Sequence, residues 1–183
     1  MDGVPHMTRK SRLTWLTVVT LVVVGIDQWS KVHAVAQWKG QPSQHFFGDV
    51  FRIEYAENDG AFLSLLANQP PQVRFWVLTV FNGLLLGGVT LFLLKSPEMR
   101  RWTFFALALV VAGGVGNLID RVRFGYVIDY FNLGLGGLRT GIFNVADMAI
   151  SAGFIMLLPY VIWGDAPQKS AEKQPESPAA EGT

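Results

Sequence analysis

The sequence contains no cysteine, which removes disulfides, thiolate nucleophiles and cysteine-based metal centres from consideration. Histidine is nearly as scarce. His6, His33 and His45 are scattered, and neither Ser64 nor Ser151 has a histidine close by in sequence, so a zinc site and a serine triad are both disfavoured. Charge is thin as well: only 16% of the 183 residues are charged, too few to keep a soluble domain of this length in solution. The net charge of +1 points to neither a nucleic-acid surface nor an acidic partner.

What the chain has instead is hydrophobic length. Four apolar stretches, at about 13–35, 73–94, 102–120 and 142–163, come close to or reach the ~20 helical residues that cross a hydrocarbon core. The expected fold is a membrane α-helical protein with four transmembrane helices, forming one domain over residues 1–163. The first stretch has the makings of a cleavable leader, with Arg9, Lys10 and Arg12 ahead of it and Ala34-Val35-Ala36 after it. However, the intervening DQWSKVH is long and carries both charge signs, so the span is read as retained. Basic residues are densest before the first span, around Lys95, Arg100 and Arg101, and at Lys169 and Lys173, which puts both termini in the cytoplasm. Loops 37–72 and 121–141 then lie outside. In VFRIEY (50–55) apolar and charged residues alternate, the period of a half-buried strand, so a small amphipathic sheet is expected on the outer membrane surface. The Pro-, Ala-, Glu- and Lys-rich segment 164–183 reads as a disordered cytoplasmic tail. Gly83 and Gly87, and the group Gly113, Gly114 and Gly116, are read as sites of close helix packing.

This topology gathers the unusual polar residues at one face. Asn117-Leu-Ile-Asp120 and Asn144-Val-Ala-Asp147 each place an amide and a carboxylate three apart, on one side of a helix end. Asp147 stands near a helix start, where an acid is also a good cap. Asp120 stands near a helix end, where it opposes the macrodipole and calls for a cation, from Arg121, Arg123 or Lys31. Asp27 and Lys31 have the i,i+4 spacing of a salt-bridged turn at the membrane rim, with Trp29 in the interfacial belt. Asn58-Asp59-Gly60 has turn chemistry. Asp129, in GYVIDYF, is flanked by apolar side chains that would desolvate it and raise its pKa. Two carboxylates brought together share a proton, one serving as base and the other as acid, which suits water attack on a peptide carbonyl. Spacing alone does not choose the pair from Asp27, Asp120, Asp129 and Asp147. A proton-coupled transporter, the rival reading, would spread its acids through the membrane depth.

Taken in order, DQWSK (27–31), NDGAF (58–62), GNLIDRVRFGYVIDYF (116–131) and FNVADMAI (143–150) resemble the lipoprotein signal peptidases (signal peptidase II), aspartyl proteases of bacterial membranes. The resemblance runs through nearly all of residues 12–163. It implies cleavage of a prolipoprotein just before a cysteine that carries diacylglycerol, with Asp129 and Asp147 as the catalytic pair. Asp27, Lys31, Asn58, Gly60, Asn117, Asp120, Arg121 and Asn144 match positions that line or brace the family's site. It implies no cofactor and no metal. The implied partners are prolipoprotein substrates and membrane lipid, with no nucleic acid, and the expected form is a monomer in the bacterial cytoplasmic (inner) membrane with its site at the outer face. Two positions depart from the family's pattern: Phe62 stands where alanine is usual, and Tyr130 where phenylalanine is common.

Overall fold

Residues 7–60, 68–96 and 99–163 are described by a computed structural model. Helix α1 spans Arg9–Trp38, α2 Pro71–Lys95, α3 Arg101–Phe124 and α4 Val145–Trp163. The first three are long and apolar enough to cross a membrane, and the apolar part of α4, Val145–Tyr160, is shorter. Local chemistry sets the ends. Thr8 caps α1 by accepting from the Ser11 amide at 3.2 Å, and Pro71 opens α2, where its missing N–H costs nothing. The Phe75–Phe81 stretch of α2 is a π-helix.

Gly125 ends α3 in the left-handed conformation (φ 83°), which a residue with a Cβ adopts at a cost. That reversal sends the chain directly into a strand. Strands β1 (Gln44–Phe46), β2 (Phe51–Asn58), β3 (Val127–Leu135) and β4 (Leu138–Arg139) form one antiparallel sheet in the order β1-β2-β3-β4. The expected strand in 50–55 therefore continues to Asn58, and much of the segment expected as a loop over 121–141 is a hairpin. The reason is burial. Val127, Ile128, Asp129 and Tyr130 are all buried, so β3 is covered on both faces and shows no period-2 pattern. The β2–β3 register also shifts between Ile53 and Ala56, which interrupts alternation in β2.

Helix α3 is the hub, packing against α1, α2 and α4. Its glycines do the work expected of them. A Cβ on Gly113 would strike the Ala146 carbonyl oxygen, one on Gly114 would lie 2.6 Å from Leu86, and one on Gly116 2.7 Å from the Asp27 carboxylate. Gly153 of α4 meets the Ala106 carbonyl in the same way, at 2.5 Å, so α3 and α4 run antiparallel in backbone contact. On α2 the expectation holds for only one glycine: a Cβ on Gly83 would touch Leu118 at 3.5 Å, whereas Gly87 has nothing within 4 Å among the described residues. Arg12, read from sequence as a flanking charge, is buried and donates to the carbonyls of Met7, Leu93 and Ser96, tying the start of α1 to the end of α2. The expected tail, 164–183, and Phe62 lie outside the described residues.

Gly113→Val should therefore cost about 1–3 kcal/mol or more through overpacking against backbone, while Gly87→Val should leave stability nearly unchanged. Thermal unfolding of the two purified variants in detergent checks the difference.

Candidate active site

The site is built on the first turn of α4, whose four free N–H groups need partners. Val145 N–H faces the Tyr130 phenolic oxygen, and Ala146 N–H donates to Asp27 Oδ1 at 2.9 Å. Asp147 N–H donates to Asn144 Oδ1 at 3.0 Å, and the helix's own bonding begins with Met148 N–H to the Asn144 carbonyl at 3.2 Å. The Asn144 N–H reaches back to Asp147 Oδ2 at 3.2 Å, which completes a reciprocal capping box. Capping and chemistry are thus one arrangement, because the box fixes where the Asp147 carboxylate points. Its other oxygen accepts from Asn117 Nδ2 at 2.8 Å.

Asn144 also serves the second aspartate. Its Nδ2 donates to Asp129 Oδ1 at 2.7 Å, so a single residue is hydrogen-bonded to both carboxylates. Asn58 Nδ2 donates to Asp129 Oδ2 at 3.0 Å, across the β2–β3 pairing that sets Asn58 opposite Val127. The Gly60 N–H in turn donates to Asn58 Oδ1 at 3.1 Å, the expected turn, and Arg121 Nη2 lies 3.5 Å from the Gly60 carbonyl. Asp129 is 2% exposed. Burial first, and the Asp147 charge second, raise its pKa from 3.8 to about 7, against the opposing pull of the Asn58 and Asn144 hydrogen bonds.

Beneath this pair lies a buried ion cluster. Lys31 Nζ is 2.8 Å from Asp27 Oδ2, 2.8 Å from Asp120 Oδ2 and 3.1 Å from Asn117 Oδ1. Asp27 and Asp120 are 0% exposed and Lys31 2%, so the Asp27–Lys31 pair is not the rim turn that its spacing suggests. Of the three cations considered for Asp120, Lys31 is the one that pairs with it, whereas the Arg123 guanidinium stacks over Phe124. Asp120 Oδ2 also accepts from the Ile128 N–H at 3.2 Å, which anchors β3 one residue before Asp129. Sequence reasoning passed over two contributors. Gln28 Nε2 donates to Asp120 Oδ1 at 2.9 Å and to Asp27 Oδ2 at 3.2 Å. The Tyr130 hydroxyl, 2.6 Å from Ser30 Oγ, links β3 to α1; Ser30 gives its own proton to the Asp27 carbonyl, so the phenol is the donor. Gln28 sits inside DQWSK and Tyr130 beside Asp129, so their positions were the available signal.

Asn58, Asn117, Arg121, Asp129 and Asp147 line a cavity of about 720 Å³. Asp27, Lys31, Asp120 and Asn144 brace it from behind, and Gly60 holds the turn at its edge. Away from the aspartates the cavity follows one face of α4, through Met148, Ser151, Ala152 and Ile155.

The family model for signal peptidase (SPase) II matches residues 19–163. The chain belongs to the lipoprotein signal peptidases. It is an aspartic peptidase of family A8 that cleaves signal peptides from prolipoproteins, and a bacterial membrane protein with several membrane-spanning helices. It is similar to the lipoprotein signal peptidase of Streptococcus thermophilus (strain CNRZ 1066), 36% identical over 148 residues covering 81% of this chain and 92% of that protein. It is also similar to that of Streptococcus pyogenes serotype M1, 35% identical with 81% and 92% covered. Two solved structures of bacterial membrane enzymes share the fold. One, determined in meso at 2.3 Å, gives a TM-score of 0.73 at 23% identity and covers 88% of this chain and 95% of its own. The other, at 1.9 Å, gives 0.70 at 24%, with 81% and 93% covered.

Two outcomes are expected of this signal peptidase. Lys31→Met leaves Asp27 and Asp120 buried without a counter-ion and should cost about 3–5 kcal/mol; a melting curve beside that of the exposed-site variant Lys39→Met, expected to match wild type, measures it. Because the pKa of Asp129 is raised in the fold, the native state holds a proton that the unfolded chain releases above about pH 4. Its contribution is full below that pH, is lost as pH rises to about 7, and is flat beyond. Melting temperatures across pH 4–8 should show this decline in wild type and lose that part of it in Asp129→Asn.

Proposed function

We propose that Asp129 and Asp147 are the catalytic pair, and that they hydrolyse the peptide bond just before the diacylglyceryl-cysteine of a prolipoprotein. The observation that carries this reading is Asn144, hydrogen-bonded to both carboxylates at the polar end of a cavity whose other wall is an apolar stripe of α4. Asp129, the more deeply buried of the two, carries the proton. Asp147, half-buried and closer to water, is the ionised partner.

In the first step Asp147 takes a proton from a water molecule as its oxygen attacks the scissile carbonyl carbon, and Asp129 gives its proton to the carbonyl oxygen. The product is a neutral tetrahedral diol. Asp129 then recovers a hydroxyl proton, Asp147 delivers its proton to the amide nitrogen, and the C–N bond breaks. The signal peptide leaves as an acid and the lipidated cysteine as a new amino terminus. Arg121, on the cavity wall beside the pair, holds a substrate backbone carbonyl. Asn58, Asn117 and Asn144 keep the carboxylates aimed, while Asp27, Lys31, Asp120 and Gly60 hold those asparagines and the strand in place.

All four helices act as spans of one domain, residues 1–163, in the bacterial cytoplasmic membrane. Both termini face the cytoplasm and the site faces outward. The density of Lys and Arg at the opposite helix ends supports this orientation, and so does the position of the polar cluster, at one end of α1, α3 and α4 together. The proposed form is a monomer. Membrane lipid and the substrate's acyl chains share the apolar wall of α4.

Purified enzyme and a diacylglyceryl-modified precursor, resolved by gel mobility, test the pair. Wild type should shorten the precursor, and Asp129→Asn or Asp147→Asn should each slow this at least about a hundredfold without losing the folded state. Cleavage by either variant at a rate close to wild type would overturn the assignment.

A further inference from the structure

Ser151 stands out on the cavity wall. It lies four residues beyond Asp147, on the same side of α4 and about 6 Å along the axis. Its neighbours on that face are Met148, Ala152 and Ile155, and Met148 and Ile155 are 51% and 64% exposed. Ser151 is thus the single hydroxyl in an apolar stripe that begins at the candidate catalytic pair. A serine inside an apolar helix commonly gives its proton to the carbonyl four residues earlier, here that of Asp147. Ser151 makes no hydrogen bond with any described residue, and its side chain is exposed to the cavity. A donor of this kind, surrounded by methyl and thioether groups, is poorly served by an occupant that offers only hydrocarbon.

We infer that the Ser151 hydroxyl is a specificity-determining contact that donates to an ester carbonyl of the substrate's diacylglyceryl group. The inference rests on the dyad reading above, which places the scissile bond at Asp129 and Asp147. With the bond there, the cysteine side chain runs from the pair along α4. Its thioether-linked glycerol places ester carbonyls beyond the sulfur, about one helical turn further on, and the acyl chains continue along Met148 and Ile155. An unmodified cysteine is too short to bring any acceptor to Ser151. Binding it would strip water from the hydroxyl and return nothing, and that asymmetry is how a site built around a hydrogen bond rejects a substrate lacking its partner. A carbonyl of the signal peptide backbone is the other acceptor that could reach the same donor, and the substrate chemistry separates the two.

The test compares wild type, Ser151→Ala, Ser151→Thr and Asp129→Asn on two synthetic precursors with the same peptide. One carries the natural ester-linked diacylglyceryl group and the other an ether-linked dialkylglyceryl group, which has chains but no carbonyl. On the ester precursor Ser151→Ala should lower kcat/KM by about three- to tenfold, mainly through KM, and Ser151→Thr should restore it to within about twofold. On the ether precursor wild type and both Ser151 variants should agree within about twofold. An equal penalty on both precursors, as a peptide carbonyl or a packing role would give, overturns the inference, and so does the absence of any penalty on the ester. Asp129→Asn should be inactive on both; activity there would sink the dyad reading instead, whatever the Ser151 variants do.

Discussion

Lys31 sits between Asp27 and Asp120 at 2.8 Å from each, and the rest of the site depends on that ammonium. Besides the Gln28 amide that they share, each acid accepts from the backbone of a different element. Asp27 takes the Ala146 N–H at the start of α4, and Asp120 takes the Ile128 N–H at the start of β3. Lys31 itself fixes the Asn117 amide, whose other end holds Asp147. One buried cation therefore sets the positions of both carboxylates without touching either. Burying three charges contributes little net stability, because desolvation offsets most of the attraction. What the cluster supplies is a set of directed bonds that join α1, α3, α4 and β3 at fixed residues.

A protease that works between lipid and water has to combine a polar reaction centre with an apolar approach. In the proposed reading these tasks divide along α4. Its first turn, fully capped, carries Asp147 and meets the asparagines. Its next two turns present Met148, Ala152 and Ile155 to the same cavity. The backbone-to-backbone approach of α3 at Gly113 and Gly153 keeps the opposite face of α4 committed to packing, so the cavity face stays open.

The helices were legible because a span needs only length and apolarity, and each predicted stretch lies within or close to an observed helix. The polar residues were legible because an acid in an apolar helix is costly enough to be conspicuous. Their pairing was not. Asp120 had three candidates for its cation, two of them close by in sequence, and only the fold brings the third, Lys31, from a helix 89 positions earlier, within 2.8 Å. The same limit explains the misreading of Asp27–Lys31: an i,i+4 pair has one spacing whether it lies at a rim or in a core, and α3 packing through Gly116 decides which. Strand β3 was missed for the opposite reason, since a strand covered on both faces loses the alternation by which strands are recognised.

Helix α1 has the outward marks of the leaders this enzyme removes: basic residues, then an apolar run, then small residues at Ala34 and Ala36. A leader must be able to slip away from the body it precedes. Asp27, Ser30 and Lys31 oppose that here, because their bonds to Ala146, Tyr130, Asn117 and Asp120 run sideways into α4, β3 and α3. The sequence also contains no cysteine to carry the lipid before which the proposed cleavage falls; anchorage adds that the helix most like a leader is the one whose departure would dismantle the site.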